Sequence, residues 1–186
     1  VTTERTQNAT RGTRAGALNR QLAAQQWLLS SLDEHGRTRA QKEWRLHQLA
    51  VLPVGELFSA VRLPRDLVLA AAASSWDPEQ VDPFLNDILG GPVICDPHGH
   101  RYYALVSPAM PVKWRDAAED WRPLRVDCLG HGVHLGVPSM EATEYAPFRW
   151  PSYWSVPMDS TPTLCQPLHV ARLIAIGRHQ LGEDTA

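Results

Sequence analysis

The chain has 186 residues, 44% of them hydrophobic and 20% charged, with 15 Pro, 12 Gly, three Cys and a formal net charge of -2. That length suits one domain with its own core plus a short appendage, and the near-neutral charge argues against an indiscriminate nucleic-acid binder. Cys95, Cys128 and Cys165 are too few and too far apart for a disulfide framework or a zinc knuckle, and no apolar run is long enough to span a membrane. With a polar leading segment, the expectation is a cytoplasmic protein with no membrane partner.

Charge is unevenly distributed. Residues 1–47 hold eight Arg or Lys against four acids, whereas the rest holds ten against sixteen. This predicts a basic arm on a mildly acidic body. Sixteen of the eighteen cations are Arg, the side chain suited to bidentate contact with phosphate or carboxylate, although a GC-rich genome gives the same bias.

In chain order, residues 1 to about 12 lack apolar periodicity and are expected to be a disordered arm. Leu18, Leu22, Leu29 and Leu32 then fall on one helical stripe, with His35-Gly36 as its stop, and a second helix is predicted from about Thr38 to Leu49. Together these make an antiparallel hairpin within residues 1–49. The body, residues 50–186, opens with extended segments at Ala50–Gly55 and Leu57–Leu63. Helices are expected after Pro64 and from Asp77 to Leu89, the latter capped by Asp77 and closed by Gly90-Gly91. Strands follow at Pro92–Cys95, Arg101–Ser107, Leu124–Cys128, Val133–Val137 and Tyr153–Val156, the first two joined by the polar turn 96–100 as a hairpin. A short amphipathic stretch lies at Lys113–Trp121. The last helix runs from Pro167 to about Leu181 with Val170, Ile174, Gly177 and Leu181 on its apolar face. Antiparallel strands mixed with helices make the fold α+β, a sheet flanked by helices and preceded by the helical hairpin.

The familiar catalytic signatures are absent: there is no Gly-x-Ser-x-Gly elbow, no P-loop and no Gly-x-Gly-x-x-Gly after a strand. His98 and His100 beside Cys95 and Asp96 offer metal-ligand chemistry, but neighbours in one tight turn do not all converge on an ion. Cys128, His131 and His134 sit among glycines, where a strand would split the two imidazoles between faces. No metal or cofactor is therefore expected. Trp76, Trp114, Trp121, Trp150 and Trp154 fit core or rim packing before base stacking.

From Ala50 to Pro157 the order of segments resembles the N-terminal catalytic domain of bifunctional DNA primase/polymerases, the prim-pol branch of the archaeo-eukaryotic primase superfamily. Ser59–Pro64 stands where that family has a strand ending in Asp-x-Asp. Tyr102–Pro108 is similar to its His-bearing strand, and Val126–Ser139 to its hydrophobic-Asp step, Gly-rich turn and closing Pro-Ser. The resemblance implies an RRM-like sheet and a metal-dependent nucleotidyl-transfer site. The departures remove that chemistry. Arg62 and Pro64 occupy the positions of the two Asp, Tyr102 replaces the His, and only Asp127 survives, so the two-metal site is lost. What the resemblance then implies is a catalytically inactive domain binding nucleic acid or a nucleotide in a vacated metal cleft, with Arg62, Arg101, Tyr102, Asp127 and His131 lining it. The competing expectation is a protein-interaction module on the same scaffold, with the helical hairpin meeting a protein partner or a second copy.

Overall fold

The structure, a computed structural model, describes residues 2–146, 148–158 and 163–183. Its helices are α1 (Thr2–Leu29), α2 (Glu34–His47), α3 (Arg65–Ala71), α4 (Pro78–Leu89), α5 (Met110–Lys113), α6 (Arg115–Trp121) and α7 (Pro167–Glu183). Its strands are β1 (Leu49–Pro53), β2 (Ser59–Pro64), β3 (Val93–Asp96), β4 (Arg101–Val106), β5 (Asp127–Leu129), β6 (His134–Pro138) and β7 (Tyr153–Val156). The fold is α+β. Five strands form one antiparallel sheet in the order β5-β2-β4-β3-β7, and β1 pairs with β6 in a separate two-stranded ribbon. Segments β2 to β5 follow one another as β-α-β-β-α-β.

Side-chain alternation gives the five-stranded sheet two buried faces. On the first, Val61, Leu63, Tyr102 and Ala104 pack under Leu67 and Val68 of α3, Val81 and Leu85 of α4, and Val170, Leu173 and Ile174 of α7. Gly177 lets α7 close on α3, since a Cβ there would stand 2.5 Å from the Leu67 carbonyl oxygen. On the second, Ala60, Ile94, Leu105 and Trp154 meet the β1–β6 ribbon and Ala24, Leu28, Ala40 and Trp44 of the helical hairpin. Trp44 fixes the hairpin to the ribbon by donating from Nε1 to the Val137 carbonyl at 2.9 Å.

Several sequence expectations need correction. The segment expected as a disordered arm is part of α1, which begins at Thr2; a helix nucleated in its packed C-terminal third extends at little cost per residue. The break between the helices precedes His35-Gly36. Asp33 caps α2, its carboxylate accepting from the Gly36 backbone N–H at 2.7 Å and satisfying a donor the first helical turn leaves free. Leu18 and Leu22 are exposed, because α1 turns Ala24 and Leu28 inward instead. The strand expected from Leu124 starts at Asp127, after a 3-10 turn at Arg122–Leu124 and a left-handed Arg125. The β3–β4 hairpin, the Asp77 cap, the Gly90 close and β7 lie where the sequence places them.

Candidate functional site

At the Pro64 end of the sheet a cavity of about 770 Å³ opens between the start of α3, the β3–β4 turn and the connection from α6 to β5. Five arginines line it (Arg62, Arg65, Arg101, Arg122 and Arg125), together with His100, against two acids, Asp66 and Asp127. Backbone pairing assembles it. Arg62 on β2 stands opposite Asp127 on β5 and Tyr103 on β4, and Pro64 opposite Arg101. Because β2 and β5 run antiparallel, the residues just after Arg62 arrive beside those just before Asp127. Arg65 and Asp66 thus meet Arg122 and Arg125.

Both acids are already paired. The Arg62 guanidinium reaches Asp127 Oδ2 through Nε, at 3.1 Å, and through a terminal nitrogen; Arg125 pairs with Asp66. Arg65 lies over the Trp76 ring, its Cζ 5.1 Å from the centroid, and its backbone N–H donates to the His100 carbonyl at 3.0 Å. Arg65, Arg101 and Arg122 make no ion pair with a described acid. The cavity therefore carries an excess of three positive charges, in a form of cation suited to phosphate or carboxylate.

Of the sequence-selected residues, Arg62, Arg101 and Asp127 come together here; Tyr102 and His131 do not. Tyr102 alternates onto the opposite face from Arg101. It is fully buried, with its ring 6.4 Å from Trp76, and no hydrogen-bond partner within bonding geometry for its hydroxyl. His131 lies past the other end of β5, exposed, on a turn so close to Gly55 that a Cβ on Gly55 would stand 2.5 Å from the His131 Cα. The sequence reading missed Arg65, Asp66, Arg122 and Arg125. Their signal was the antiparallel register itself, once Arg62 is set opposite Asp127.

The other clusters stay apart. Cys95 points into the first-face core, Asp96 Oδ1 accepts from the Gly99 N–H at 2.8 Å, and His98 and His100 are exposed. Among the described residues no group of three His, Cys, Asp or Glu is placed to hold a metal ion. A separate half-buried carboxylate, Asp82 of α4, accepts from Ser155 Oγ and, at 3.2 Å, from the Tyr153 hydroxyl. Burial pushes its pKa up to about 6, against the lowering effect of those two hydrogen bonds. No described helix is long and apolar enough to cross a membrane. No protein-family model, curated protein or solved structure matches the chain.

Proposed function

We propose that this chain binds a phosphorylated ligand, a nucleotide or a single-stranded nucleic acid, in the arginine-lined cavity, and that it does so as a catalytically inactive relative of primase/polymerase domains. The observation that carries this is the cavity's composition: five arginines against two acids, both acids ion-paired. The three segments that resemble the family's motifs begin on β2, β4 and β5, which are neighbours in the sheet, and the β-α-β-β-α-β order is consistent with an RRM-like core. Arg62 lies in the cavity beside the surviving Asp127, where a divalent cation would meet a fixed positive charge instead of a second carboxylate. The three free cysteines fit a reducing cytoplasmic setting.

The test is binding of labelled single-stranded DNA, RNA and nucleotides at low salt. Affinity should fall steeply as salt rises, with a log–log slope of about -0.7 per phosphate neutralised on a single strand. Arg62→Ala and Arg101→Ala should each weaken it. Failure of all three ligand types to bind, or wild-type binding by Arg62→Ala, overturns the proposal.

One observation favours a second reading, self-association through the helical hairpin. Leu18 and Leu22, one turn apart on α1, are 57% and 48% exposed on the rim of a groove floored by Trp44 and Met140. A second copy of the chain would cover them. Light scattering on the full chain tests this; a monomer with and without Leu22→Glu excludes it.

A further inference from the structure

Resting on the phosphate-binding reading above, we infer that Asp127 is a built-in competitor for Arg62: its carboxylate occupies the guanidinium that the ligand's phosphate takes over, so binding proceeds by exchange of one anion for another. Three observations carry this. The pair is made through one carboxylate oxygen only, Oδ2, which receives both Arg62 contacts, so the fork-to-fork geometry of a tight structural pair is not formed. Both partners are partly open to the cavity, with side chains 33% and 39% exposed, so the pair is reached by solvent and is cheap to break. The same arrangement recurs on the other side of the cavity, where Asp66 Oδ2 holds Arg125. Two of the five arginines are thus held by internal anions, while the other three make no ion pair with a described acid. The ligand this favours carries at least two negative charges, as a di- or triphosphate or a nucleic-acid strand does, because a monoanion gains little by replacing a carboxylate that is already tethered.

The chemistry is non-covalent. As the phosphate arrives, the Arg62 N–H donors pass from Asp127 to its oxygens, and Asp127 turns to water. Removing the Asp127 charge should therefore strengthen binding, the opposite of what a metal ligand or a residue that positions Arg62 would do.

The experiment titrates inorganic pyrophosphate into the full chain at low salt and compares wild type with Asp127→Asn, Arg62→Ala, the double variant, and Glu56→Asn as a charge control on the exposed turn before β2, away from the cavity. Asp127→Asn is expected to bind roughly two- to fivefold tighter, the factor that a partly exposed ion pair is worth. Glu56→Asn should match wild type, and the double variant should match Arg62→Ala, since Asp127 acts only through Arg62. Tighter binding by Glu56→Asn to the same degree overturns the exchange in favour of general charge. Equal or weaker binding by Asp127→Asn, while Arg62→Ala still weakens binding, overturns the exchange and leaves the phosphate site standing. Absence of pyrophosphate binding by every form removes both. Should Asp127→Asn misfold, carbon NMR on wild type decides: the Asp127 carboxyl signal must move in step with pyrophosphate saturation, and a signal that stays put overturns the inference.

Discussion

Arg62 and Asp127 are cross-strand partners on β2 and β5, and the arginine's Nε donates to the aspartate's Oδ2 at 3.1 Å. A carboxylate that would serve a divalent cation is here neutralised by a guanidinium, and a cation entering beside it would be repelled at close range. Purified protein given Mg²⁺ or Mn²⁺, nucleotides and a primed template should yield no extension product on a sequencing gel. Robust synthesis abolished by Asp127→Ala would contradict the inactive reading.

Tyr102 separates the two halves of the sequence expectation. Its hydroxyl is buried beside the Cys95 thiol, a weak partner, and makes no hydrogen bond of good geometry, so Tyr102→Phe gives up little. Urea unfolding should show stability unchanged or raised by up to about 1 kcal/mol, and ligand affinity should stay at the wild-type value. A large loss of affinity would return Tyr102 to the site.

Asp82 gives the fold a pH dependence of unusual sign. Its pKa is raised from 3.8 to about 6 in the folded chain, chiefly by burial. The folded state therefore holds a proton that the unfolded chain releases. The stability this contributes is complete below 3.8 and lost as pH rises through about 6. Allowing for the partial exposure of the carboxyl, the span is about 1 to 2 kcal/mol. Asp82→Asn, which keeps an acceptor for Tyr153 and Ser155, should flatten that decline in urea midpoints measured across the window.

Gly177 sets the distance between α7 and α3. An alanine methyl would lie 2.5 Å from the Leu67 carbonyl oxygen and 2.9 Å from its Cδ1, so the helices must separate. Gly177→Ala should cost about 1 to 3 kcal/mol by overpacking, read as a lowered urea midpoint. An unchanged midpoint would mean that α7 adjusts freely.

Trp44→Phe tests how firmly the hairpin belongs to the body. The change keeps most of the ring but deprives the Val137 carbonyl of its indole donor. A loss of about 1 to 2 kcal/mol in a single cooperative transition is expected. Two separated transitions would show a hairpin that melts on its own.

The sequence made the elements legible where local chemistry decides them. Asp77 before Pro78 and Gly90 after Leu89 bracket α4 because capping and a left-handed close act within a few residues. The same rules failed at His35-Gly36, where Asp33 captured the Gly36 N–H three residues earlier and started α2 sooner. The site was half legible. Arg62, Tyr102 and Asp127 followed from matching three strand segments, with Arg101 added as the neighbour of Tyr102; adjacent residues in a strand point to opposite faces, and it is Arg101 that reaches the cavity. His131 was set beside Asp127 although β5 carries the chain away between them. Arg65, Asp66, Arg122 and Arg125 needed the pairing of β2 with β5, a long-range relation that no local pattern encodes.

The hairpin and ribbon that cover the second face of the sheet also decide what a bound strand could be asked. Trp154 beneath that cover and Trp44 within it are 1% and 6% exposed, and among the described residues no Phe, Tyr or Trp lines the arginine cavity. Bases would find no open ring in the cavity to stack on, since the nearby Trp76 is already covered by Arg65, and no flat sheet to lie across. Such a grip holds the backbone and ignores the message, so poly-dA and poly-dT of equal length should be held alike.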